Sequence, residues 1–501
     1  MLLATMIEDV ARRHPDRVAV ADADRSLNYQ QLCAARDAVG AQLLASGLVP
    51  GDRVAVLSHN CVEQVVVYHA AFRAGLIVVP VNTRLAGAEV TYLLEHSEAS
   101  ALVVHAELAP TLPADRFGIG VDRVWSIASE SDGLRVFDSD GPDEPAWPDL
   151  APDAPAAILY TSGTTSKPKG VTHSHTSLFA TAANQAWTQE FGADDVHLVT
   201  LSIAHIAGFA GQVLTAAYAG GTAILLGAPT PEEILEAIAR FQPTYLQMTP
   251  ALLSSLLEIV DSPASLASVR CCLVGGDKVP AATSEALAAL VGFGVTEVCG
   301  MTESFSYCMN PPFGEHRPGS IGLPTHGTRV RIARADGSEA APHEIGELQI
   351  QAAANMVGYW EEPEKTAEVL VDSWVRSGDM GRTDEDGWFY FEARRNDMII
   401  HVDENVSPLE VEDALMRHPS VAEVAVVGLA DLSVGERVVA AVVLHPGTSA
   451  TPDELVGFAG TLLAAYETPD QVVILEALPH NATGKVDRRA VKAQLSATEQ
   501  T

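Results

Sequence analysis

The sequence predicts an α/β fold: a large N-terminal domain of two α/β subdomains plus a small β-barrel, and then a small α+β domain. Residues 1–150 and 195–319 alternate helical and strand patterns, which is typical of α/β domains. Residues 328–392 change to short alternating segments separated by Ala-Asp-Gly-type turns, which indicate a small β-barrel or distorted sheet. A polar run at residues 393–397 separates two apolar strands and predicts the domain boundary.

The length of the chain indicates more than one domain, and its net charge limits the classes of binding partner. The 501 residues are too many for one hydrophobic core, and the predicted domains are residues 1–393 and 394–501. The 31 Lys and Arg against 65 Asp and Glu give a net charge of −34. A surface this acidic repels nucleic acid and anionic lipid, so we expect neither as a partner. A site for an anionic ligand must therefore create its own local positive field.

The cysteines and the apolar runs indicate a cytoplasmic protein. No Cys-x-x-Cys spacing occurs, so we predict neither a zinc site nor a disulfide framework, and a reducing setting fits best. Glu8 and Arg12 interrupt the apolar residues after Met1, which indicates an amphipathic helix rather than a signal peptide. The apolar run nearest in length to a membrane span, Val65–Val81, contains charged and polar side chains. We therefore expect no membrane-spanning helix.

Apolar runs and helix-start signals locate the elements of the two α/β subdomains. In the first subdomain we predict strands at Arg53–Leu57, Leu76–Val81 and Leu102–Val104 and a helix at Glu63–Ala74. The stretch 138–155 is rich in Asp and Pro and predicts a connecting loop, followed by a short buried strand at Ala156–Tyr160. In the second subdomain we predict strands at Ala223–Leu226, Thr244–Met248 and Cys272–Val274 and a helix at Pro231–Phe241.

The same signals continue through the barrel and the small domain. Alternating segments predict strands at Arg329–Ala333, Glu347–Gln351, Trp388–Phe391, Ala422–Leu429 and Arg437–Leu444. A further helix is predicted at Glu454–Ala465. Ser407 should cap another helix, with Pro408 at its first position and Glu410 completing a capping box. Val411 and Leu415 would then lie on its buried face.

The first stretch with evident chemistry is the loop Thr161–Gly170, which directly follows the buried strand. It reads Thr-Ser-Gly-Thr-Thr-Ser-Lys-Pro-Lys-Gly. Glycine lets the backbone approach a ligand, hydroxyl and backbone N–H groups donate hydrogen bonds, and the lysines add positive charge. This composition indicates a phosphate-binding loop for a nucleoside triphosphate, and an ordinary polar surface loop is the alternative. It is not the common P-loop, because no Gly-Lys-Ser/Thr stands at the required spacing.

The loop resembles, almost residue for residue, the signature of the adenylate-forming superfamily of acyl- and aryl-CoA synthetases, luciferases and adenylation domains. Other segments resemble motifs of this superfamily in the same order, and they are Ser202–Gly208, Gly275–Asp277, Cys299–Glu303, Trp374–Asp379 and Leu478–Lys485. The resemblance therefore covers essentially the whole chain. It implies a large AMP-binding domain, a small mobile C-terminal domain that turns about Asn396, and frequent homodimers.

The resemblance also implies ATP, Mg²⁺ and coenzyme A as ligands. Glu303 would hold the Mg²⁺ ion, since carboxylate oxygen suits this cation, and Thr302 would contact phosphate. Lys485 would stabilise charge as the acid attacks the α-phosphate. Asp379 would accept hydrogen bonds from the ribose, and Arg394 would contact ribose or phosphate. The other nucleotide-binding residues that it implies are Thr161, Ser162, Gly163, Thr164, Thr165, Lys169, Gly276, Asp277 and Cys299.

The acyl pocket is implied by the same resemblance. Its candidate residues are His205, Gly208, Gly275, Gly300 and the region Phe305–Tyr307. Without the resemblance, a lone histidine in an apolar stretch would be interpreted as a core residue, and a glycine turn as a strand-to-helix connection. These residues could line a pocket for an aryl or bulky alicyclic acid, a short fatty acid stays open, and the sequence does not identify the substrate.

Three departures from the family pattern concern the two half-reactions and the hinge between them. Cys299 stands where the family usually has a tyrosine stacked on adenine. The hairpin that lines the CoA tunnel in the family usually carries two glycines, and this chain has Val402 and Asp403 before Glu404. Valine does not readily adopt the positive φ of glycine. Asn396 replaces the usual Asp or Lys of the hinge.

We therefore predict an AMP-forming acid–CoA ligase. A carboxylic acid and ATP would give an acyl-adenylate and pyrophosphate, and CoA thiol would then take the acyl group and release AMP. One alternative is an enzyme that keeps one half-reaction, for example thioester formation from a preformed adenylate. The others are an adenylation enzyme that loads a separate carrier protein, and a non-enzymatic acyl-binding protein.

Overall fold

The computed structural model describes most of the chain and divides it into two compact units. The described residues are 2–85, 87–113, 118, 123–129, 134–137, 145–161, 167–227, 229–276, 279–317, 319–402, 404–431, 434–480 and 486–499. The first unit comprises Met1–Val330 and Ile350–Val375, and the second comprises Arg331–Gln349 and Arg376–Thr501. The boundary after residue 393 stays a prediction.

Helices occur throughout both units. The α-helices of the described residues are α1 (Leu3–Arg13), α2 (Tyr29–Ala45), α3 (Val62–Ala74), α4 (Gly87–His96), α5 (His175–Thr188), α6 (Thr215–Ala219), α7 (Pro231–Phe241), α8 (Pro250–Ile259), α9 (Ala281–Val291), α10 (Pro363–Val369), α11 (Pro408–Met416), α12 (Pro452–Ala459) and α13 (Arg488–Glu499). A π-helix spans Ala207–Leu214, and short 3₁₀ helices span Ala106–Thr111 and Pro263–Leu266. In this part of the chain no helix has the length and apolar character needed to cross a membrane.

Strands alternate with these helices. The strands are β1 (Val18–Ala21), β2 (Ser26–Asn28), β3 (Arg53–Leu57), β4 (Ile77–Val81), β5 (Ala101–His105), β6 (Val124–Ile127), β7 (Arg135–Val136), β8 (Pro155–Thr161), β9 (Lys169–Ser174), β10 (Val196–Val199), β11 (Thr222–Leu225), β12 (Tyr245–Met248), β13 (Cys271–Gly275), β14 (Thr296–Met301), β15 (Ser304–Met309), β16 (Leu323–Pro324), β17 (Thr328–Ala333), β18 (Gly346–Ala352), β19 (Gly358–Tyr359), β20 (Leu370–Val371), β21 (Trp374–Thr383), β22 (Phe389–Arg394), β23 (Ile399–His401), β24 (Glu404–Val406), β25 (Val421–Asp431), β26 (Gly435–Leu444) and β27 (Gln471–Ile474).

The first unit contains two large sheets that are parallel in their central strands. One has the order β16-β15-β14-β13-β12-β10-β11-β1-β2, and the other has the order β19-β9-β8-β4-β3-β5-β6-β7. Their apolar side chains meet α1, α2, α3, α5 and the π-helix in one large core. Separate cores lie under α7–α9 and under α4. Sheets covered on both faces explain why the strand sequences are continuous apolar runs.

The carboxyl ends of the parallel strands matter most for function. In open α/β sheets ligands bind beyond these ends, where loops are free to carry polar groups. Thr161 lies at the end of β8, Gly275 at the end of β13 and Met301 at the end of β14. The predicted binding residues of the first unit therefore follow strand ends, as such a site requires.

The second unit contains a sheet of order β24-β23-β26-β25, with β27 beside β26. Its core divides between the two faces of this sheet. Val411, Leu415 and Leu455 of α11 and α12 belong to one apolar cluster, and Val491 and Leu495 of α13 belong to another.

Residues 328–394 form a further sheet of order β17-β18-β21-β20, with β22 beside β21. This is the small sheet that the alternating segments predict.

Most predicted elements are present within one or two residues of their expected ends. The helix predicted at Pro231–Phe241 is present as α7 with Pro231 at its first position, and the structure adds a cap: Thr230 accepts a hydrogen bond from the Glu233 N–H, and the reciprocal bond completes a capping box. The fold class, a mixed α/β protein with a separate C-terminal domain, is confirmed.

Two predictions at the element level are wrong. The helix predicted to reach Ala465 ends at Ala459, since Gly460 is its C-cap and residues 461–463 and 465–467 form turns. At the start of α11, Ser407 accepts a hydrogen bond from the Glu410 N–H, but Glu410 does not return one to complete a box. Burial, and then the charge of Glu467, raise the pKa of the Glu410 carboxyl, so this side chain lies beside another carboxylate.

Candidate active site

The mouth of the predicted phosphate loop is formed by two paired strands. In the β8–β9 pair Thr161 lies opposite Lys169, which closes the hairpin on the side of the loop. The Lys169 Nζ lies 4.8 Å from the centre of the Tyr359 ring. Farther along the loop, the Lys167 Nζ lies 5.1 Å from the ring centre of Tyr92. Both cations are thus held over aromatic faces, a favourable cation–π arrangement.

The carboxylate expected to hold Mg²⁺ is buried beside this mouth. Thr302 and Glu303 occupy the turn between β14 and β15, where Met301 pairs with Ser304. Glu303 is 9 % exposed, and its Oε1 accepts a hydrogen bond of 2.7 Å from the Tyr359 hydroxyl. Its carbonyl accepts a second bond of 2.8 Å from the Met356 N–H. Backbone and side chain of this glutamate are therefore both fixed.

Buried His173 hydrogen-bonds to Thr302, the other residue of the turn between β14 and β15. The His173 Nε2 donates to the Thr302 carbonyl at 2.8 Å, and its Nδ1 lies 3.1 Å from the Ser177 hydroxyl. Burial lowers the pKa of His173 to about 4, so the ring is neutral at physiological pH. A neutral ring that donates through Nε2 accepts through Nδ1, which matches the serine.

The residues around Glu303 fit a magnesium ion that binds together with a nucleotide. Within the described ranges Glu303 forms no ion pair, although burying an unpaired carboxylate is costly. A cation would remove this cost. No group of three or more His, Cys, Asp or Glu in the same ranges could hold a metal by itself. Mg²⁺ commonly uses one or two carboxylates together with water and phosphate oxygens, so this donor set suits it.

Two of the predicted acyl-pocket residues, His205 and Gly208, lie at the start of the π-helix, whereas Gly275 and Gly300 lie on β13 and β14. The His205 side chain is accessible to solvent, and its Nε2 lies 3.1 Å from the Asn82 amide nitrogen at the end of β4. Partial desolvation, followed by the charge of Arg84, lowers the pKa of the His205 ring. Because the amide nitrogen can only donate, the neutral imidazole accepts here.

The glycines of the pocket are explained by close packing. A Cβ on Gly208 would lie 2.4 Å from the Ser202 carbonyl oxygen, and one on Gly275 would lie 2.5 Å from the Val298 oxygen. A Cβ on Gly300 would lie 3.2 Å from the Phe305 ring. These three predicted substrate residues are thus required by the packing of the protein, whatever they contact in a complex. Gly276 has φ of +88° with open space beside it.

Cys299 carries a thiol at the position where the family resemblance predicts a tyrosine that stacks on adenine. Cys299 is half-buried, and its Sγ lies 3.1 Å from the hydroxyl of Tyr307, which is fully buried. Cys308 lies opposite Cys299 in the β14–β15 pair. No aromatic side chain stands at position 299, as the sequence indicates.

The second unit contains the other predicted nucleotide contacts. Asp379 is 4 % exposed and pairs with Arg394 across β21 and β22, with the Arg394 Nε 2.9 Å from the Asp379 Oδ1. The two residues predicted to contact ribose therefore contact each other. After Arg394 the chain turns, and Asn396 is exposed in this turn.

The same unit contains the predicted hairpin of the CoA tunnel. His401 pairs with Glu404, and Val402 lies in the turn that follows β23. Val402 has φ of +53°, and its N–H donates to the Val434 carbonyl at 2.8 Å. The expectation that valine would avoid the glycine conformation is therefore wrong. This residue adopts it with a β-branched side chain.

Several predicted residues lie outside the described ranges, and one is described only in its backbone. The residues outside are Ser162, Gly163, Thr164, Thr165, Asp277, Asp403 and Lys485. Glu404 is described only as the first residue of β24. The roles of all predicted site residues stay predictions.

Comparison with known proteins identifies the family. The model of the AMP-binding enzymes matches residues 7–360, and the model of the AMP-binding enzyme C-terminal domain matches residues 410–485. The chain belongs to this family. An indoleacetate–CoA ligase of Aromatoleum aromaticum is 32 % identical over 514 residues, covering 100 % of both chains. A fatty acid–[acyl-carrier-protein] ligase of Streptomyces coeruleorubidus is also 32 % identical, over 96 % of this chain and 94 % of the relative.

Solved structures of AMP-binding enzymes share the fold. ATP-bound MatB from Rhodopseudomonas palustris has a TM-score of 0.89 at 29 % identity, and the match covers 98 % of each chain. The prediction of an adenylate-forming acyl/aryl-CoA synthetase is confirmed, and the chain is an AMP-forming acid–CoA ligase by class. ATP and CoA fit this class as substrates.

Three side chains around the AMP-binding site have no role in the predictions. Tyr359 contacts both Lys169 and Glu303, His173 fixes Thr302, and the Tyr92 hydroxyl donates to the Pro168 carbonyl at 3.1 Å. The segment Gly358–Trp360 matches the family pattern, but Tyr359 is 56 residues from Glu303 in the chain. The contacts of Tyr359 with Lys169 and Glu303 arise in the fold, where β19 pairs with β9.

Proposed function

We propose that the chain activates an aryl or bulky alicyclic carboxylic acid with MgATP and transfers the acyl group to CoA. The observation that carries this proposal is the buried Glu303 carboxylate beside the mouth of the phosphate loop, with Lys169 next to it through Tyr359. An acyl-binding protein would need neither a buried carboxylate nor a lysine at this place. Phosphate chemistry needs both.

Each half of the chain would supply a different part of the adenylation step. Lys169 and Thr161 would bind the triphosphate, and Glu303 would hold Mg²⁺, which neutralises phosphate charge when bound. Asp379 would accept hydrogen bonds from the ribose while Arg394 keeps its carboxylate ionised and oriented. Lys485 would stabilise charge on the α-phosphate as the acid attacks, and pyrophosphate would leave. CoA thiol would then attack the acyl carbonyl, and AMP would leave.

The proposed acid class rests on the relatives and on the pocket residues. By their names, one relative acts on indoleacetate and another on 2-succinylbenzoate, both aryl acids, whereas others act on fatty acids or sulfoacetate. In this chain the Phe305 ring lies against Gly300 and Gly211, so an aromatic wall is available near the predicted pocket. Aryl acids are therefore the first class to test.

The decisive experiment follows both products. A panel of aryl, alicyclic and fatty acids is incubated with ATP, Mg²⁺ and CoA, while pyrophosphate release is recorded and AMP and acyl-CoA are measured by mass spectrometry. We expect acid-dependent formation of AMP and thioester in equal amounts. Glu303→Gln should reduce the rate by about 100-fold or more. The absence of both products with every acid would refute the proposal.

The ribose contact needs its own test. Asp379→Asn keeps the shape of the side chain and removes its charge, so we expect a weaker ATP complex by roughly tenfold. The control is Asp384→Asn, which changes a carboxylate in the turn between β21 and β22 that accepts a hydrogen bond from the Trp388 N–H. Equal ATP dissociation constants for Asp379→Asn and the unchanged protein would remove Asp379 from the site.

A second candidate function is favoured by Cys299 and Val402, which depart from the family at the adenine platform and at the hairpin. In this alternative the chain keeps only the thioester half-reaction, or passes the acyl group to a separate carrier protein, as the name of the Streptomyces carrier-protein ligase states for that relative. Preformed acyl-adenylate with CoA, acid with ATP alone, and acid with ATP and a phosphopantetheinylated carrier distinguish these cases. Turnover of preformed adenylate with no pyrophosphate released from acid and ATP would establish the half-reaction enzyme. A reduced cytoplasmic setting and a homodimer stay predictions.

A further inference from the structure

Tyr359 is the side chain that connects the phosphate loop to the candidate metal carboxylate. Its hydroxyl donates to the Glu303 Oε1 at 2.7 Å, and its ring lies under the Lys169 ammonium at 4.8 Å. Tyr359 itself is 7 % exposed and pairs with Val171 in the β9–β19 contact. One rigid aromatic residue therefore contacts both charged groups of the site.

The direction of this hydrogen bond is fixed by chemistry. A carboxylate only accepts, so the Tyr359 O–H donates to Glu303. Within the described residues, Glu303 has no other side-chain donor, and its Oε2 accepts no hydrogen bond. The hydroxyl thus occupies one carboxylate oxygen and leaves the second without a protein partner in this part of the chain.

We propose that Tyr359 is a positioning residue for the metal-binding carboxylate of the adenylation reaction. Its hydroxyl and its ring would hold the Glu303 carboxylate and the Lys169 ammonium at fixed positions relative to each other. The inference rests on the proposed function, since the nucleotide and Mg²⁺ are its premise. Hydrogen bonds that orient a metal-binding carboxylate typically contribute 10- to 100-fold in metal affinity. Losing the hydroxyl would let the Glu303 side chain rotate, and the metal would then bind a less ordered ligand.

The direct test uses Mn²⁺ as a paramagnetic probe. Free Mn²⁺ is counted by electron paramagnetic resonance while full-length protein is titrated in the presence of ATP, and no turnover is needed. Tyr359→Phe removes the hydroxyl and keeps the ring under Lys169. We expect the dissociation constant of Mn²⁺ in the ATP complex to rise about tenfold or more. In the activity assay we expect a larger Mg²⁺ requirement with a smaller loss of kcat at saturating Mg²⁺.

The chain offers a matched control in its second unit. The Tyr390 hydroxyl donates to the Asp384 Oδ2 at 3.1 Å, and its ring lies 4.4 Å from the Arg382 guanidinium. Tyr390→Phe therefore removes the same kind of bond from the same kind of cation–tyrosine–carboxylate group. We expect it to leave the Mn²⁺ dissociation constant unchanged within twofold. An equal rise in both variants would overturn the proposal, because it would indicate a general effect on the fold.

A double-mutant comparison decides whether Tyr359 acts through Glu303. In the Glu303→Gln background, Tyr359→Phe should have no further effect on Mn²⁺·ATP binding, whereas an independent contribution would give the same tenfold factor again. If Tyr359→Phe alone does not fold, Tyr359→His, which keeps an aromatic ring with a polar group, takes its place in the same titration. A further loss in the double variant, or an unchanged constant in Tyr359→Phe, would refute the inference. AMP formation by the unchanged protein reports the proposed function separately.

Discussion

Cys299 is the residue at which this chain differs most clearly from the family at the nucleotide site. Its half-buried thiol contacts the Tyr307 hydroxyl, and an aromatic residue would offer a flat face for the base instead. Stacking of a base on an aromatic side chain is worth about 1–3 kcal/mol. The thiol forgoes this contribution, so ATP affinity must depend more heavily on the phosphate contacts.

Restoring the aromatic side chain should therefore strengthen nucleotide binding. For Cys299→Tyr we expect the dissociation constant of ATP, measured by calorimetry, to fall roughly tenfold. Cys299→Ala is the control and should change it by no more than about twofold. A weaker ATP complex in Cys299→Tyr would mean that the base does not lie against this position.

At the level of single residues, sequence patterns identify groups that have characteristic chemistry in a characteristic order. They predict Thr161, Lys169, Glu303, Asp379 and Arg394 as a set. They do not predict Tyr359 or His173, because a tyrosine hydroxyl or a neutral imidazole acquires a role only from its neighbour in space. Both neighbours come from distant segments that the sheet brings together.

The π-helix Ala207–Leu214 shows how an element can depend on glycine for two different reasons. A Cβ at Gly208 would meet backbone oxygens, those of Ser202 at 2.4 Å and Leu201 at 2.7 Å. A Cβ at Gly211 would meet only the Phe305 ring, at 2.6 Å. Backbone cannot move as a side chain can, so the two positions should differ in their tolerance of alanine.

We therefore predict unequal stability losses for the two substitutions. Gly208→Ala should lower the free energy of unfolding by about 3 kcal/mol, whereas Gly211→Ala should lower it by about 1 kcal/mol, because the ring tilts and alanine favours helix. Urea denaturation of each variant measures both values. A smaller loss for Gly208→Ala than for Gly211→Ala would contradict the packing argument.

The β23–β24 hairpin stores conformational strain. Val402 has φ of +53° and is 57 % exposed, so it gains little burial in return. A left-handed conformation costs an ordinary residue about 1–2 kcal/mol, and a β-branched side chain is among the least suited to it. The turn is imposed by the strand pairing on either side.

Asparagine accepts this conformation and should relieve the strain. We expect Val402→Asn to raise the free energy of unfolding of the second unit by about 1 kcal/mol. Val402→Ile, which stays β-branched, is the control and should give no gain. Urea unfolding followed by circular dichroism distinguishes the two, and equal midpoints for all three proteins would show that the strain is absorbed elsewhere.

At the scale of the whole molecule, buried neutral histidines couple stability to pH. Burial lowers the pKa of His173 and His175 to about 4 and that of His69 and His197 to about 3. In the unfolded chain these groups titrate near pH 6.5. The unfolded state therefore binds more protons below pH 6.5. The stabilisation from these neutral rings is fully present above this pH, and the free energy of unfolding falls as the pH falls towards 4.

We predict a measurable acid slope in the stability of the protein. Between pH 6.5 and 5 the free energy of unfolding should fall by about 1.4 kcal/mol per pH unit for each buried neutral histidine. His197→Phe keeps a ring between Phe191 and Tyr245 and should reduce the slope by the share of one histidine. His14→Gln, at an exposed position, should leave the slope unchanged. Urea denaturation at fixed ionic strength measures the slope, and stability that is constant over this range would contradict the prediction.

The overall architecture is predicted well from the sequence because it follows from apolar periodicity. Buried parallel strands such as β3 and β4 read as continuous apolar runs, and Pro231 begins α7 where expected. The end of α12 and the conformation of Val402 are missed because tertiary context decides them. Apolar periodicity also does not indicate that the second unit combines segments that are separate in the sequence.

That division has a consequence for the exchange of parts between related enzymes. The chain passes from one unit to the other after Val330, after Gln349 and after Val375. A donor segment that starts at residue 394 would therefore carry only part of the second unit and leave residues 331–349 and 376–393 to the recipient. We expect a chimeric ligase to keep more of the contacts within the second unit when the transplanted piece also includes these two stretches. Every junction then falls where the chain passes from one unit to the other.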